Sequence, residues 1–252
     1  MIDLSTAKSL GFKTGIDPFS VIREYVQIAF LNEIYAQPKI GKTVFKGGTA
    51  LRLMFASNRF SEDLDFTTDL SKKDLDGILA DVIGELEKEI PNLEIRDLDT
   101  IAGISKKISI KIADVSQPLT IKLDFSLREE VFLTKQGVIK TALPVSSSVL
   151  IDYLDPVEVL AEKYRAIMTR IKGRDLYDVW YLLNKGIKFD QKLIQKKLDF
   201  YKSKIDWAKF TERIEGWDEK ELDQDLRKFL PEKDRQVIGK LKELVLEEIK
   251  ML

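Results

Sequence analysis

Apolar residues recur at helical spacing between Pro18 and Ala36, where Val21, Ile22, Tyr25, Val26, Ile28, Ala29, Leu31 and Ile34 predict one long helix. A short strand is expected over Thr43–Lys46, breaking at Gly47-Gly48 into a helix over roughly Thr49–Ser57. Asp63–Thr67 reads as the next strand. Ser71–Ile90 alternates charged and apolar residues at helical period, opens with a capping-box-like Ser71–Asp74 pair and stops before Pro91. The period then shifts toward two. Leu93–Ile95, Ile104–Ile112 and Leu119–Phe125 predict strands, with turns at Ala102-Gly103 and Gln117-Pro118. Leu133–Leu143 predicts a further extended hairpin around Gly137, and from Asp155 the chain reads as helical near 156–172, 173–184, 190–199 and 218–250. The pattern implies an α+β protein with a mixed sheet in residues 1–150 and a helical half in 151–252.

One stretch joins two chemical devices. Lys46-Gly47-Gly48-Thr49-Ala50-Leu51-Arg52 places a glycine-hydroxyl turn where a strand gives way to a helix. Glycines let backbone approach phosphate oxygens, and N–H groups at a helix start point at that negative charge. Arg59-Phe60-Ser61-Glu62-Asp63-Leu64-Asp65-Phe66 follows, and residues two apart on a strand share a face. Asp63 and Asp65 therefore converge, while Leu64 and Phe66 pack inward. Lys46, Gly47, Gly48, Thr49, Arg59 and Ser61 are the expected nucleotide contacts, with Asp63 and Asp65 as metal ligands. Asp124, in Ile121-Lys122-Leu123-Asp124-Phe125, is the third candidate carboxylate, although Asp114, Glu129 and Glu130 are near enough in sequence to serve instead. Such oxygen ligands suit magnesium or manganese shared with substrate phosphates, poised for in-line nucleotidyl transfer.

Composition narrows the chemistry further. The 252 residues contain no cysteine and no histidine, which excludes disulfides, thiolate nucleophiles, imidazole bases and His- or Cys-ligated zinc. Carboxylates, lysine, arginine, hydroxyls and bound metal remain. Net charge is −1, so any nucleic-acid contact must come from a local patch. No apolar run approaches the ~20 residues that span a bilayer, and the first residues lack a signal-peptide pattern, so a cytoplasmic protein is expected.

A second constellation runs through Glu158-Val159-Leu160-Ala161-Glu162-Lys163 to Arg174-Asp175-Leu176-Tyr177-Asp178. Lys163, Ala166, Ile167 and Arg170 share one helical face, and Arg174–Asp178 is an i, i+4 pair. Bulky apolar neighbours around Asp178 imply burial, so Asp175 or Asp178 needs a cation from Lys163, Arg170 or Arg174.

Taken in order, Lys46-Gly-Gly-Thr-Ala-Leu, Arg59-Phe-Ser-Glu-Asp-Leu-Asp-Phe66, Glu162-Lys163 and Arg174-Asp-Leu-Tyr-Asp178 resemble the AbiEii/AbiGii toxin family of the nucleotidyltransferase fold, over roughly residues 40–185. The resemblance implies a nucleotidyltransferase-like N-terminal domain, with residues 151–252 as a helical domain contributing to the active-site cleft. It implies a metal-dependent enzyme that moves a nucleoside monophosphate from a nucleoside triphosphate onto an acceptor, tRNA for some members, as the toxin of a pair with a cognate antitoxin. Gly48 and Thr49 would hold triphosphate oxygens, Asp63 and Asp65 the metal, and Lys163 a phosphate, while Asp175 or Asp178 would complete the catalytic set. Thr49 stands where Ser is more widespread, a mild departure.

A competing reading is a nucleotide-binding module without turnover, acting through a protein or RNA partner. A third takes the C-terminal helices as a surface that docks RNA or an antitoxin: Lys192, Lys196, Lys197, Lys202 and Lys204, interleaved with Phe200, Tyr201 and Trp207, form a basic aromatic stripe, a pattern that helix packing also produces.

Overall fold

The computed structural model describes residues 1–100, 103–113 and 115–250; Ala102 of the expected turn and the candidate Asp114 lie outside the described residues. The chain forms two compact units, Met1–Ala56 with Phe60–Leu154, and Ser57–Arg59 with Asp155–Leu252.

The first unit opens with helices α1 (Leu4–Thr14) and α2 (Pro18–Tyr35), capped by Asp3 and Asp17 side chains that accept from Thr6 and Ser20 amides. Strand β1 (Val44–Lys46) runs directly into α3 (Gly47–Phe55). Then come β2 (Leu64–Thr67), α4 (Lys72–Glu89), β3 (Leu93–Leu98), β4 (Ile104–Ile110), β5 (Leu119–Ser126), β6 (Thr134–Gly137) and β7 (Ile151–Leu154). Among the described residues these strands form one mixed sheet, ordered β3-β4-β5-β2-β1-β7-β6. Strand β2 is antiparallel to β1 and parallel to β5, so Lys46, Asp65 and Asp124 stand side by side in register.

The sheet has chemically distinct faces. Phe45, Phe66 and Phe125 alternate onto one side, where the Phe66 and Phe125 rings stack 4.8 Å apart and Phe30 of α2 packs against Phe66 at 6.5 Å. Lys46, Asp65 and Asp124 alternate onto the other. Burying the aromatic side therefore presents the carboxylates opposite the core.

Two expectations for this half are corrected. Residues 133–143 do not fold back as a hairpin around Gly137; β6 instead pairs with β7, with Gly137 opposite Ile151. The short apolar run Ile151–Leu154 supplies that partner from beyond the serine-rich stretch. Helix α1 was not expected from the pattern at all, because the residues it buries are the small Ala7 and Gly11 while Phe12 is 92% exposed.

The second unit holds α5 (Pro156–Thr169), α6 (Gly173–Asn184), α7 (Gln191–Asp199), α8 (Trp207–Glu215), α9 (Glu219–Leu226) and α10 (Leu241–Lys250). Tyr164 stacks on Phe210 at 4.6 Å, with Phe189 and Trp207 packed edge-on, so Trp207 serves the interior. Lys197 is buried too, with its Nζ on Glu158 at 2.5 Å and Glu162 at 3.2 Å. The expected basic aromatic stripe is thus split, leaving Phe200 and Tyr201 exposed. The single helix expected over 218–250 is interrupted instead, since Leu230 is extended ahead of Pro231 and a 3-10 segment follows at Glu232–Lys240.

Candidate active site

The turn from β1 to α3 has the character its glycines require. Gly47 sits at φ +79°, and a Cβ there would collide with the Asp65 carboxylate. The Asp65 side chain therefore lies against the start of α3, where backbone amides point outward. The N-cap residue of that helix, Lys46, makes no capping hydrogen bond with its own side chain.

Neighbouring contacts fix the next stretch. Thr49, almost fully buried, donates its hydroxyl to the Asp63 carbonyl, so it positions Asp63 where the sequence reading gave it a nucleotide contact. Gln27 donates to the Ser61 carbonyl at 3.1 Å. Arg52 holds Glu24 at 2.5 Å and lies over the Phe60 ring at 3.7 Å. The Lys46 ammonium, also expected to meet nucleotide, is buried against Glu129.

No group of three acidic side chains among the described residues is gathered as a ready metal site. Asp124 is held by the Ser105 hydroxyl and by Lys122 Nζ at 2.6 Å. Lys122 reports on the cluster. Burial alone would lower its ammonium, but the hydrogen bond and charge of Asp124, with the charges of Asp63 and Asp65, outweigh this and hold it above its ordinary value. A cation already stands among these oxygens. The all-oxygen donor set fits a hard divalent ion, and the absence of a Cβ at Gly47 is what lets the Asp65 carboxylate sit there. Lys122 had a signal in the sequence: its i, i+2 relation to Asp124 puts the two on one strand face.

The Lys163 constellation lies within the second unit and is built from buried charge. Lys163 Nζ bonds Asp175 at 2.8 Å and Asp178 at 2.7 Å. Arg59 grips both oxygens of Asp178 at 2.9 Å, and Arg170 reaches Asp175 at 2.7 Å. Desolvation would raise the Asp175 carboxyl, but Lys163 and Arg170 overcome it and hold that group well below the usual carboxylate range. Burial opposes the Lys163 charge, yet Asp175 and Asp178 hold its ammonium above the ordinary lysine value.

Three expectations change here. Arg59, expected to meet nucleotide, has its guanidinium buried on Asp178. Arg170 leaves the Lys163 face, since α5 ends at Thr169 and Arg170 is extended at φ −144°. Arg174 pairs with Asp225 at 3.8 Å, and both Asp175 and Asp178 turn to Lys163.

With this geometry in place, comparison with solved structures shows the fold, and a family model shows the class. The chain matches MenT4, a nucleotidyltransferase toxin of Mycobacterium tuberculosis H37Rv, with a TM-score of 0.69 at 15% identity, covering 99% of this chain and 89% of that one. It matches JHP933 of Helicobacter pylori with a TM-score of 0.55 at 20% identity, covering 94% and 95%. Among curated proteins, no relative matches. The model of the AbiEii nucleotidyl transferase toxin family, of type IV toxin–antitoxin systems, matches residues 29–243, and the chain belongs to that family. It is a nucleotidyltransferase of the toxin kind. No helix among the described residues is long and apolar enough to cross a membrane.

Proposed function

We propose that this enzyme transfers a nucleoside monophosphate from a nucleoside triphosphate to a hydroxyl of tRNA, with a magnesium or manganese ion, in the cytoplasm, and that a cognate antitoxin restrains it. The observation that carries this reading is Gly47: its positive φ and missing Cβ set the start of α3 directly against Asp65, which stands in register with Asp124.

Amides of Gly47 and Gly48 receive phosphate oxygens of the donor. Asp63, fixed through Thr49, and Asp65 would hold the divalent ion, with Asp124, now paired with Lys122, as the further carboxylate. When bound, such an ion would neutralise charge at the phosphates and acidify the attacking hydroxyl. The acceptor oxygen forms the new bond to the α-phosphorus, the bond to the β-phosphate oxygen breaks, and pyrophosphate departs. The acceptor proton passes to a carboxylate of the Asp65–Asp124 pair. Within the second unit, Asp175 and Asp178 keep Lys163 charged.

The test is incubation of folded enzyme with each labelled triphosphate, divalent ion and total tRNA, followed by mass analysis of the tRNA. A gain of one nucleotide residue is expected, falling roughly 100-fold or more in Asp65→Asn. No incorporation from any of the four nucleotides overturns the proposal.

A further inference from the structure

A cavity of about 660 Å³ opens on the sheet within the first unit, a size typical of small-molecule sites. Val44 and Thr67 face each other in register on its wall, as Lys46 and Asp65 do two residues along the same strands. Alternation places both pairs on one face, so the cavity adjoins the carboxylates at a spacing of about 6–7 Å.

Its lining is selective. Thr67 is 8% exposed, and its hydroxyl oxygen, also buried, has no hydrogen-bond partner among the described residues. The next residue differs, since the Thr68 and Thr43 hydroxyls share a 2.7 Å bond. An orphaned buried hydroxyl costs folding free energy and calls for a polar partner. Asp69, Glu129, Glu130 and Asp152 also line the cavity, against the cations Lys42 and Arg128. Asp152 accepts from Gln136 at 2.8 Å and Asp69 from the Lys42 amide at 3.3 Å, so this rim is organised around acceptor oxygens. Carboxylates repel a phosphate but accept from ribose hydroxyls and exocyclic amines. Val44, Leu127 and Val131 supply apolar wall for a ring face.

We infer that this cavity is a nucleoside site, which takes an uncharged ribonucleoside with an amino-bearing base beside the phosphate and metal groups. The inference rests on the nucleotidyl-transfer reading for the direction of the phosphates. A ribose bridges the two neighbouring regions: its phosphate end lies toward Gly47 and Asp65, its base end toward Thr67. The nucleoside belongs either to the donor triphosphate or to the terminal residue of the acceptor, and both present the same chemistry to this wall.

The experiment titrates the full-length protein by calorimetry with adenosine, cytidine and uridine, and separately with inorganic triphosphate plus magnesium. Adenosine and cytidine are expected to bind at least tenfold more tightly than uridine, which lacks the amine. Thr67→Val keeps the side-chain shape and removes only the orphaned hydroxyl, so its melting temperature should not fall. It should weaken nucleoside binding about tenfold relative to inorganic triphosphate, and Glu130→Gln should narrow the preference for amino-bearing bases. Competition between nucleoside and nucleoside triphosphate assigns the cavity to the donor; undiminished nucleoside binding at saturating triphosphate assigns it to the acceptor. Nucleoside binding without triphosphate binding supports the cavity while failing the active-site reading. Triphosphate binding without nucleoside binding, or nucleoside affinities unchanged in both variants, overturns the inference.

Discussion

Gly47 shows how one absent atom shapes the site. Substitution to Ala at φ +79° strains the backbone by about 1 kcal/mol and drives a methyl group into the Asp65 carboxylate. The carboxylate is the end of a mobile side chain, so it yields and the fold survives. Gly47→Ala should therefore lower the melting temperature only slightly, while nucleotide incorporation falls roughly 100-fold from misplaced ligand geometry. Comparable losses in both would point to a structural role alone. The glycine, the hydroxyl and both aspartates were legible in sequence because their spacing is local. The hydroxyl's job was not. Thr49 serves Asp63 through a bond between chain segments fourteen residues apart, and nothing in the order of residues assigns a buried hydroxyl its acceptor.

Helices α5 and α6 are joined by charge. Removing Asp178 leaves Arg59 and Lys163 buried with one carboxylate fewer, at a cost of about 3–5 kcal/mol. Chemical denaturation of Asp178→Ala should show that loss, and a change under 1 kcal/mol would mean water replaces the carboxylate. Asp175 gives the cluster a pH dependence. Its folded-state carboxyl is depressed, so its stabilising contribution is complete above the ordinary carboxylate value of about 3.9 and is lost progressively as pH falls below it. Acid unfolding of the wild type should steepen below about pH 4, and Asp175→Asn should flatten that limb. Long periodic helices such as α2 and α4 were readable because their apolar stripe repeats over several turns. Strand β7 was not, since four residues carry too little period. The Arg59–Asp178 pair spans 119 residues and has no local signature.

At the scale of the whole molecule, ligand and stability are linked. A triphosphate with divalent ion that binds only the folded state stabilises it by about 2.7 kcal/mol at a hundredfold excess over its dissociation constant. For a chain of this size the melting temperature should rise by roughly 5–10 °C. Chelation with EDTA should abolish the part of that shift that depends on the ion, and Asp65→Asn should behave as chelated protein does. An unchanged shift after chelation would show that nucleotide binds without metal. The mixed sheet and helical half were legible because the apolar period changes from two to 3.6 near residue 155. Assignment of Ser57–Arg59 was not, because composition does not reveal which interior three loop residues complete. That assignment bears on how the chain can be divided. A fragment beginning at Asp155 inherits Asp178 but leaves its bidentate guanidinium behind, encoded almost a hundred residues upstream. Expressed alone it should be marginally stable, and a version with residues 57–59 grafted back on a linker should recover: the gene cannot be cut where the protein divides.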